Sequence, residues 1–559
     1  MNSGNHDPDL KEIEIMIKNL GPVHIDKGTT LEQLYYQLKS RLPYPVMAGV
    51  INNTLIDLYY RFESPCEVEL LDISTEIGLS IYRRTAVFIL LKACRELFPE
   101  RRLVVEHSLS NGLYCEFAEG SCTEEEISSI EKRVEQIIAA DWPVHKLMVP
   151  TGEACAIFAR QGQDDKTRLL KFRNKVEVHL YEIDGFYEYF YGYMLPRTSF
   201  VDKVRLIPYA PGLILQTPEK DQPGVLRAYT PQPKLASVFR ETREWAEMLQ
   251  TSHLADLNDI VARGAVGDLM RINEALHEKK IAYIADNICK NPQIRLVLIS
   301  GPSSSGKTTF AQRLLVQLRV NGRRPVSISL DNYFIDRKLT PKDENGELDF
   351  ESIDALKLEL FNTQLSQLIA GEKVEIPIYN FKTGCCEPEG FPMRVPEGEP
   401  IIIEGIHGLN DRLTEVIPRE QKYKIYVSAL TQLNLDNTNR IPTTDSRLIR
   451  RMVRDNRTRG HNALETMRRW PSVRRGEERN IFPYQENADV IFNSSLVYEL
   501  SVLKNHVEAL LREISPQYPE HLEAKRLLKF LSYFRPVKGA EIPPNSILRE
   551  FIGGSWFKD

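Results

Sequence analysis

Apolar and polar residues alternate over Glu12–Asn19 (EIEIMIKN), which predicts a β-strand followed by a turn at Gly21-Pro22. Thr29-Thr30 stand where a helix cap is needed, ahead of a helix over Leu31–Ser40. Val46–Ile51 and Glu67–Ile73 read as strands, with Asn52-Asn53 as a turn between them. Apolar residues at three- and four-residue spacing predict helices over Thr85–Leu97, Glu124–Ile138, Phe239–Leu249 and Val266–Lys290. Between Met194 and Pro233 the pattern lapses into seven prolines with little periodicity, which predicts a connector lying on a neighbouring domain.

Beyond residue 290 strands and helices alternate. Strands are expected at Arg295–Ser300, Pro325–Leu330, Pro400–Ile406, Tyr423–Val427 and Asp489–Asn493. Helices are expected at Phe310–Val320, Asp354–Ile369, Asp445–Thr458 and Leu496–Ile514, with a shorter one at Glu520–Phe534. That alternation argues for an α/β fold with a parallel, doubly covered sheet, whose chemistry gathers at the carboxyl ends of the strands.

One strand-to-helix junction carries a full phosphate-loop pattern. It reads Gly301-Pro302-Ser303-Ser304-Ser305-Gly306-Lys307-Thr308, followed by Thr309. The glycines let the backbone curl so that N–H groups face phosphate oxygens, and the new helix adds the positive end of its dipole. Lys307 is expected on the β- and γ-phosphates and the Thr308 hydroxyl on Mg²⁺. These residues predict binding of a nucleoside triphosphate.

Two further strand ends bear carboxylates. Asp331 follows the second strand, placed either to accept a proton from an attacking hydroxyl, to join the magnesium shell, or merely to cap a turn. Glu404 ends IIIE, where a metal-linked acid belongs, and His407 follows as a substrate contact or a structural imidazole. From Arg447 to Arg479 there are eleven arginines against four acidic residues. A lid over the triphosphate, a nucleic-acid patch and a solvated charged face are the three readings.

Composition narrows the classes. The chain has 559 residues, 42% hydrophobic and 27% charged, with a formal net charge of −5, so any basic site is local. The polar, acidic start is no signal peptide, no apolar run is long enough for a membrane span, and the 8 cysteines are scattered. These features fit a reduced, cytoplasmic protein.

The motifs GPSSSGKTT, LDNYF, DFESIDA, PIYNF, IIIEGIHG and RLIRRMVRDNRTRG occur in the order of the uridine kinase and phosphoribulokinase group of P-loop kinases, which residues 290–515 resemble. The resemblance implies ATP as donor, Mg²⁺, and a nucleoside acceptor, most readily uridine or cytidine. It gives Asp331 the role of base, with Lys307, Arg454 and Arg459 as catalytic cations. Tyr333, Phe350, Glu351, Tyr379, Phe381, Arg451 and His461 fall at substrate-binding positions, and Thr308, Glu404 and Asp331 at metal positions. Gly384 and His461 replace a histidine and an arginine that read the pyrimidine in the family, which leaves the base open.

The front of the chain resembles threonyl-tRNA synthetase. VINNTLIDLYYRFESPCEVELL supports a TGS-like β-grasp domain over residues 1–73, and residues 74–200 resemble the α+β editing module. The four metal positions of that module fall on Arg84, Phe88, Phe190 and Met194, which cannot form a zinc-type centre, so its editing chemistry is expected to be lost. The aromatic run Phe186–Met194 is either a stacking surface or a packed strand. Residues 201–289 complete the connector and helices, and residues 516–559 form a tail expected to dock near a site or a subunit contact. The domain order implies a TGS-bearing bacterial nucleoside kinase, expected to form a homo-oligomer. Two rivals remain: a nucleotide-switched RNA- or ribosome-associated protein, and a sugar-phosphate kinase of the phosphoribulokinase kind.

Overall fold

The computed structural model describes residues 12–173, 175–343, 346, 348–380, 382–431 and 433–557. A five-stranded mixed sheet opens the chain, in the order Gly21–Asp26, Glu12–Ile17, Cys66–Asp72, Val46–Ile51, Thr54–Ile56. The first and last strands in sequence pair in parallel, from Ile15 opposite Cys66 to Ile17 opposite Val68. Helix Leu31–Leu38 buries Leu31, Leu34, Tyr35 and Leu38 against this sheet. Thr30 caps it by a reciprocal box with Gln33. This is a β-grasp. The first turn falls at Asn19 (φ +69°), and Gly21-Pro22 open the second strand.

The next unit is built on helix Glu76–Leu97, which starts earlier than the apolar spacing suggests because Thr75 accepts from the Gly78 N–H at 3.0 Å. A four-stranded antiparallel sheet packs with it, ordered Arg205–Tyr209, Gly212–Gln216, Gly112–Phe117, Leu103–Leu109. The first two strands lie in the proline-rich segment expected to be a connector. Pro208 occupies the edge strand, where its missing N–H breaks no ladder bond, so proline density masked a hairpin. A three-stranded sheet, Phe186–Glu188, Glu177–Ile183, His145–Pro150, completes this part. Phe186, Tyr189, Phe190 and Met194 of the aromatic run are buried, and among its aromatic side chains Tyr187, Tyr191 and Tyr193 keep partial exposure.

The second half centres on a five-stranded parallel sheet, ordered Val326–Ser329, Ile401–Glu404, Leu296–Ser300, Lys422–Ser428, Val490–Asn493. Helices cover both faces, so Leu296–Ile299 are wholly buried. Among the described residues, no helix is long and apolar enough to cross a membrane.

The halves are welded. One hydrophobic cluster runs from Ala154 and Leu180 in the front half through Ile284 of helix Val266–Lys290 to Phe310 and Phe551. A buried ionic cluster crosses the same seam. Lys166 Nζ lies 2.7 Å from Glu188, 3.3 Å from Asp436 and 2.7 Å from Thr438 Oγ1. Two carboxylates thus share one ammonium. Burial, opposed by Lys166 and reinforced by Asp436, pushes Glu188 up to about 7. Asp436 is equally buried, but Lys166 and the Thr438 and Asn439 N–H groups hold it below the usual carboxylate range.

A raised folded-state pKa stabilises the fold below the ordinary carboxylate pKa, and that contribution is lost as pH rises through about 7. Glu188→Gln is therefore expected to raise the thermal midpoint at pH 8 and leave it nearly unchanged at pH 5. Lys166→Met, which strands two buried carboxylates, is expected to cost about 3–5 kcal/mol in urea unfolding.

Candidate phosphate-binding and phosphoryl-transfer site

The loop from Gly301 to Gly306 joins the central strand to helix Lys307–Val320. A Cβ at Gly301 would stand 1.9 Å from the Val427 carbonyl oxygen, so only glycine lets the loop leave the sheet there. Gly306 has φ +84° and forms the N-cap without a side chain, which leaves the first helical N–H groups facing outward. Ser304 also takes a left-handed conformation, φ +59°.

Buried ion pairs hold that main chain in place. Arg447, on helix Thr443–Arg459, donates to the Ser303 carbonyl at 3.1 Å and forms a two-pronged pair with Glu477, on helix Ala463–Asn480. Glu477 in turn accepts from the Ser303 N–H at 3.0 Å. Arg450 donates to the Ser304 carbonyl at 3.4 Å and pairs with Glu499. Ser494 hydrogen-bonds the Ser305 carbonyl. Arg447, Arg450, Glu477 and Glu499 are all essentially inaccessible to solvent.

The arginines of this helix therefore divide into three groups instead of forming one lid face. Arg447 and Arg450 brace the loop from behind. Arg451, Arg454 and Arg459 gather on Asp455 at 3.3, 2.7 and 3.6 Å, and Arg451 also reaches the Ser303 hydroxyl at 2.7 Å. Arg457 turns to the C-terminal tail. Asp455, Glu477 and Glu499 were not foreseen as site residues. For Asp455 and Glu477 the signal was acids standing inside a strongly basic stretch, whereas Glu499 lies beyond that stretch and carried none.

Lys307, Asp331 and Glu404 share one electrostatic environment. The Thr308 hydroxyl donates to Glu404 at 3.5 Å. Asp331 is exposed at the mouth of the cleft, yet the protein around it raises its carboxyl above the ordinary range, against the pull of Lys307, Arg459 and Arg454. Burial lifts Glu404 to about 7, with Lys307 opposing and Asp331 and Glu550 adding to it. Lys307 itself donates to the Pro302 carbonyl at 3.2 Å. Glu351 packs against Gly476, where a Cβ would lie 2.3 Å from its own, and burial together with Glu477 raises it to about 7 against Arg451 and Lys307.

The remaining predicted substrate residues lie in varied settings. Tyr333 is a core residue whose hydroxyl donates to Gln364 at 2.8 Å. Tyr379 is buried with its ring 5.6 Å from that of Phe334. Phe350 is exposed. His461 sits beyond the end of the arginine helix, 3.4 Å from Glu465 and from Arg469. Phe381 lies outside the described residues. His407 is buried, which lowers it to about 4.

The oxygen donors suit a hard cation. Thr308 and Glu404 converge, with Asp331 acting on the same carboxylate, and Mg²⁺ takes one or two carboxylates with water and phosphate oxygens completing its shell. Among the described residues no cluster of three or more His, Cys, Asp or Glu forms a metal cage. In the front half, of the four positions matched to the editing module's metal ligands, Phe88 and Phe190 meet ring to ring at 5.6 Å and the Arg84 guanidinium lies against Gly192.

A phosphate loop at the end of a central parallel strand, with acids at the neighbouring strand ends, defines a P-loop kinase type of domain. Comparison with known proteins agrees: residues 296–501 match the Phosphoribulokinase / Uridine kinase family. The N-terminal region matches threonine–tRNA ligases. That of Symbiobacterium thermophilum is 31% identical over 186 residues, 33% of this chain and 29% of the ligase. That of Clostridium kluyveri is 26% identical over 200 residues, 35% of this chain and 31% of the ligase. The chain thus spans less than a third of the length of these relatives. Among solved structures, a possible uridine kinase from Bacillus stearothermophilus is 18% identical, with a TM-score of 0.26 over 38% of this chain and 98% of that one. A D-glycerate 3-kinase from Cryptococcus neoformans is 12% identical, with a TM-score of 0.22 over 46% and 88%.

Glu477→Gln weakens the grip on both Arg447 and the Ser303 N–H. It is expected to lower stability by about 3–5 kcal/mol and to raise hydrogen exchange in the loop, while Glu478→Gln changes neither.

Proposed function

We propose that residues 290–515 form an ATP- and Mg²⁺-dependent kinase that phosphorylates the 5′-hydroxyl of a nucleoside, with uridine or cytidine the foremost acceptors. The observation that carries this reading is the convergence of Lys307, Asp331, Glu404 and the Asp455-centred arginines beside a braced phosphate loop. The family match over residues 296–501 supports the reaction class. Gly384 and His461 keep the choice of base open. On the same footing, we read residues 1–73 and 74–200 as TGS-like and editing-like modules that bind or regulate.

The step is an in-line displacement. The acceptor oxygen bonds to the γ-phosphorus as the bond from that phosphorus to the β–γ bridging oxygen breaks, and ADP leaves. The acceptor's proton passes to a carboxylate oxygen of Asp331, whose upward shift makes it a stronger base than an ordinary aspartate. Lys307 neutralises the β- and γ-phosphate oxygens, and Arg454 and Arg459 stabilise the charge that spreads over the transferring group. Mg²⁺, when bound through Thr308 and Glu404, supplies further neutralisation of the phosphates. In this reading Glu351 accepts from ribose hydroxyls.

A mass-spectrometric screen of nucleosides and sugar phosphates with ATP tests the assignment. A nucleoside 5′-monophosphate is the expected product. Phosphorylation of sugar phosphates alone would move the reading to the phosphoribulokinase side, and no acceptor-dependent ADP would end it. With the acceptor known, Asp331→Asn is expected to lower kcat by ~10²–10⁴ with ATP affinity retained. Lys307→Ala is expected to weaken ATP binding by about 2–5 kcal/mol, and equilibrium titration separates the two effects.

A further inference from the structure

The family match ends at residue 501, yet the chain returns to the phosphate loop beyond it. Helix Leu548–Ile552 packs over the start of helix Lys307–Val320, with Ile547, Leu548 and Phe551 fully buried. A Cβ at Gly306 would come within 2.5 Å of the Ile547 side chain, so the tail rests directly on the loop's last glycine. The arginine helix fastens it there. Arg457 donates to the Glu550 and Phe551 carbonyls at 2.8 and 3.1 Å, and the Arg450 guanidinium lies 5.0 Å from the centre of the Phe551 ring.

The side chain of Glu550 does more than pack. One of its carboxylate oxygens accepts from both the Thr309 N–H at 3.2 Å and the Thr309 hydroxyl at 2.8 Å. The Phe310 N–H is already bonded to the Gly306 carbonyl, so Thr309 supplies the last free N–H of the helix's first turn. A phosphate loop presents these donors to a polyphosphate. A carboxylate on them is an anion on a donor pair built for phosphate. Its charge also lies close enough to raise Glu404. Two anions cannot share one N–H and one hydroxyl, and their like charges repel across the same few ångströms. The tail also forms one wall of a cavity of about 150 Å³ that opens beside Thr308, Thr309 and Gln312.

We infer that Glu550 is an intramolecular competitor of the triphosphate: its carboxylate must leave Thr309 before the phosphates seat fully, and the C-terminal tail is thereby a built-in determinant of nucleotide affinity. This rests on the phosphate loop being a triphosphate site, as proposed above. Because Arg457 and Arg450 hold the tail, its displacement acts on the helix that carries Arg451, Arg454 and Arg459. By linkage, whatever loosens the tail tightens the nucleotide, and the nucleotide loosens the tail by the same factor.

The test is calorimetric titration of the full chain with the non-hydrolysable analogue AMP-PNP, comparing wild type, Glu550→Gln and Glu550→Ala. Hydrogen exchange of residues 546–557 is measured with and without the nucleotide. The variants are expected to bind roughly tenfold tighter, a size common for coupled sites, and the nucleotide is expected to raise exchange in the wild-type tail. Wild type that binds while both variants bind equally or more weakly overturns the competitor role and leaves the kinase reading standing. No binding by any of the three chains removes both.

Discussion

The site depends on one constraint. A loop that must keep N–H groups for an anion can use few of them to hold itself together: Ser303 gives its N–H to Glu477 and Ser305 its N–H to the Pro302 carbonyl. Here two buried arginine–carboxylate pairs do the holding from outside the loop: Arg447 with Glu477 clamps Ser303, and Arg450 with Glu499 reaches Ser304 and Ser494. Such pairs contribute little net stability against an apolar alternative, but removing either partner leaves a buried charge uncompensated. Their use here is positional. They fix the curvature of the loop, and they tie it to the helices that carry the remaining arginines.

The same economy shapes the rest of the molecule. The arginine helix backs the loop with two residues, gathers three on Asp455 and holds the tail with another. Helix Val266–Lys290 buries His277, whose Nε2 lies 3.2 Å from the carbonyl of Ser495, next to the serine that braces Ser305. Burial, with Arg313 adding to it, lowers this imidazole to about 3 and keeps it neutral. The unit after the β-grasp is joined to the second half through a continuous apolar cluster and the Lys166 ion cluster, while the β-grasp shares a separate core with that unit. A change in the front half therefore has a packed route to the phosphate loop.

Much of this was legible in the sequence, and the reasons are specific. Strands and helices with a strong period emerged within a few residues of their observed ends, as with Val266–Lys290 and Val46–Ile51. The phosphate loop was readable because glycine, lysine and threonine at fixed spacing have few other uses. The hairpin Arg205–Gln216 was hidden because proline on an edge strand looks like a linker. The division of labour among the arginines was hidden for another reason. Helical periodicity tells which residues share a face, but burial depends on partners such as Glu477 and Glu499, 30 and 49 positions away. Tyr333 illustrates the converse. Its motif suggests a pocket, while its hydroxyl bond to Gln364 and its ring contact with Phe361 set it in the core. Glu550 carried no sequence signal at all, since nothing local marks a carboxylate that returns to a loop more than two hundred residues earlier.

In the proposed reading the loop's main-chain donors, together with Lys307, grip the polyphosphate of a nucleotide. Phosphorus NMR of MgATP, titrated with the intact protein, reads that grip at each phosphate separately. Shifts and broadening of the α, β and γ resonances are expected, saturating at one nucleotide per chain and abolished by Lys307→Ala. Three resonances that stay unshifted in the presence of excess protein would contradict it.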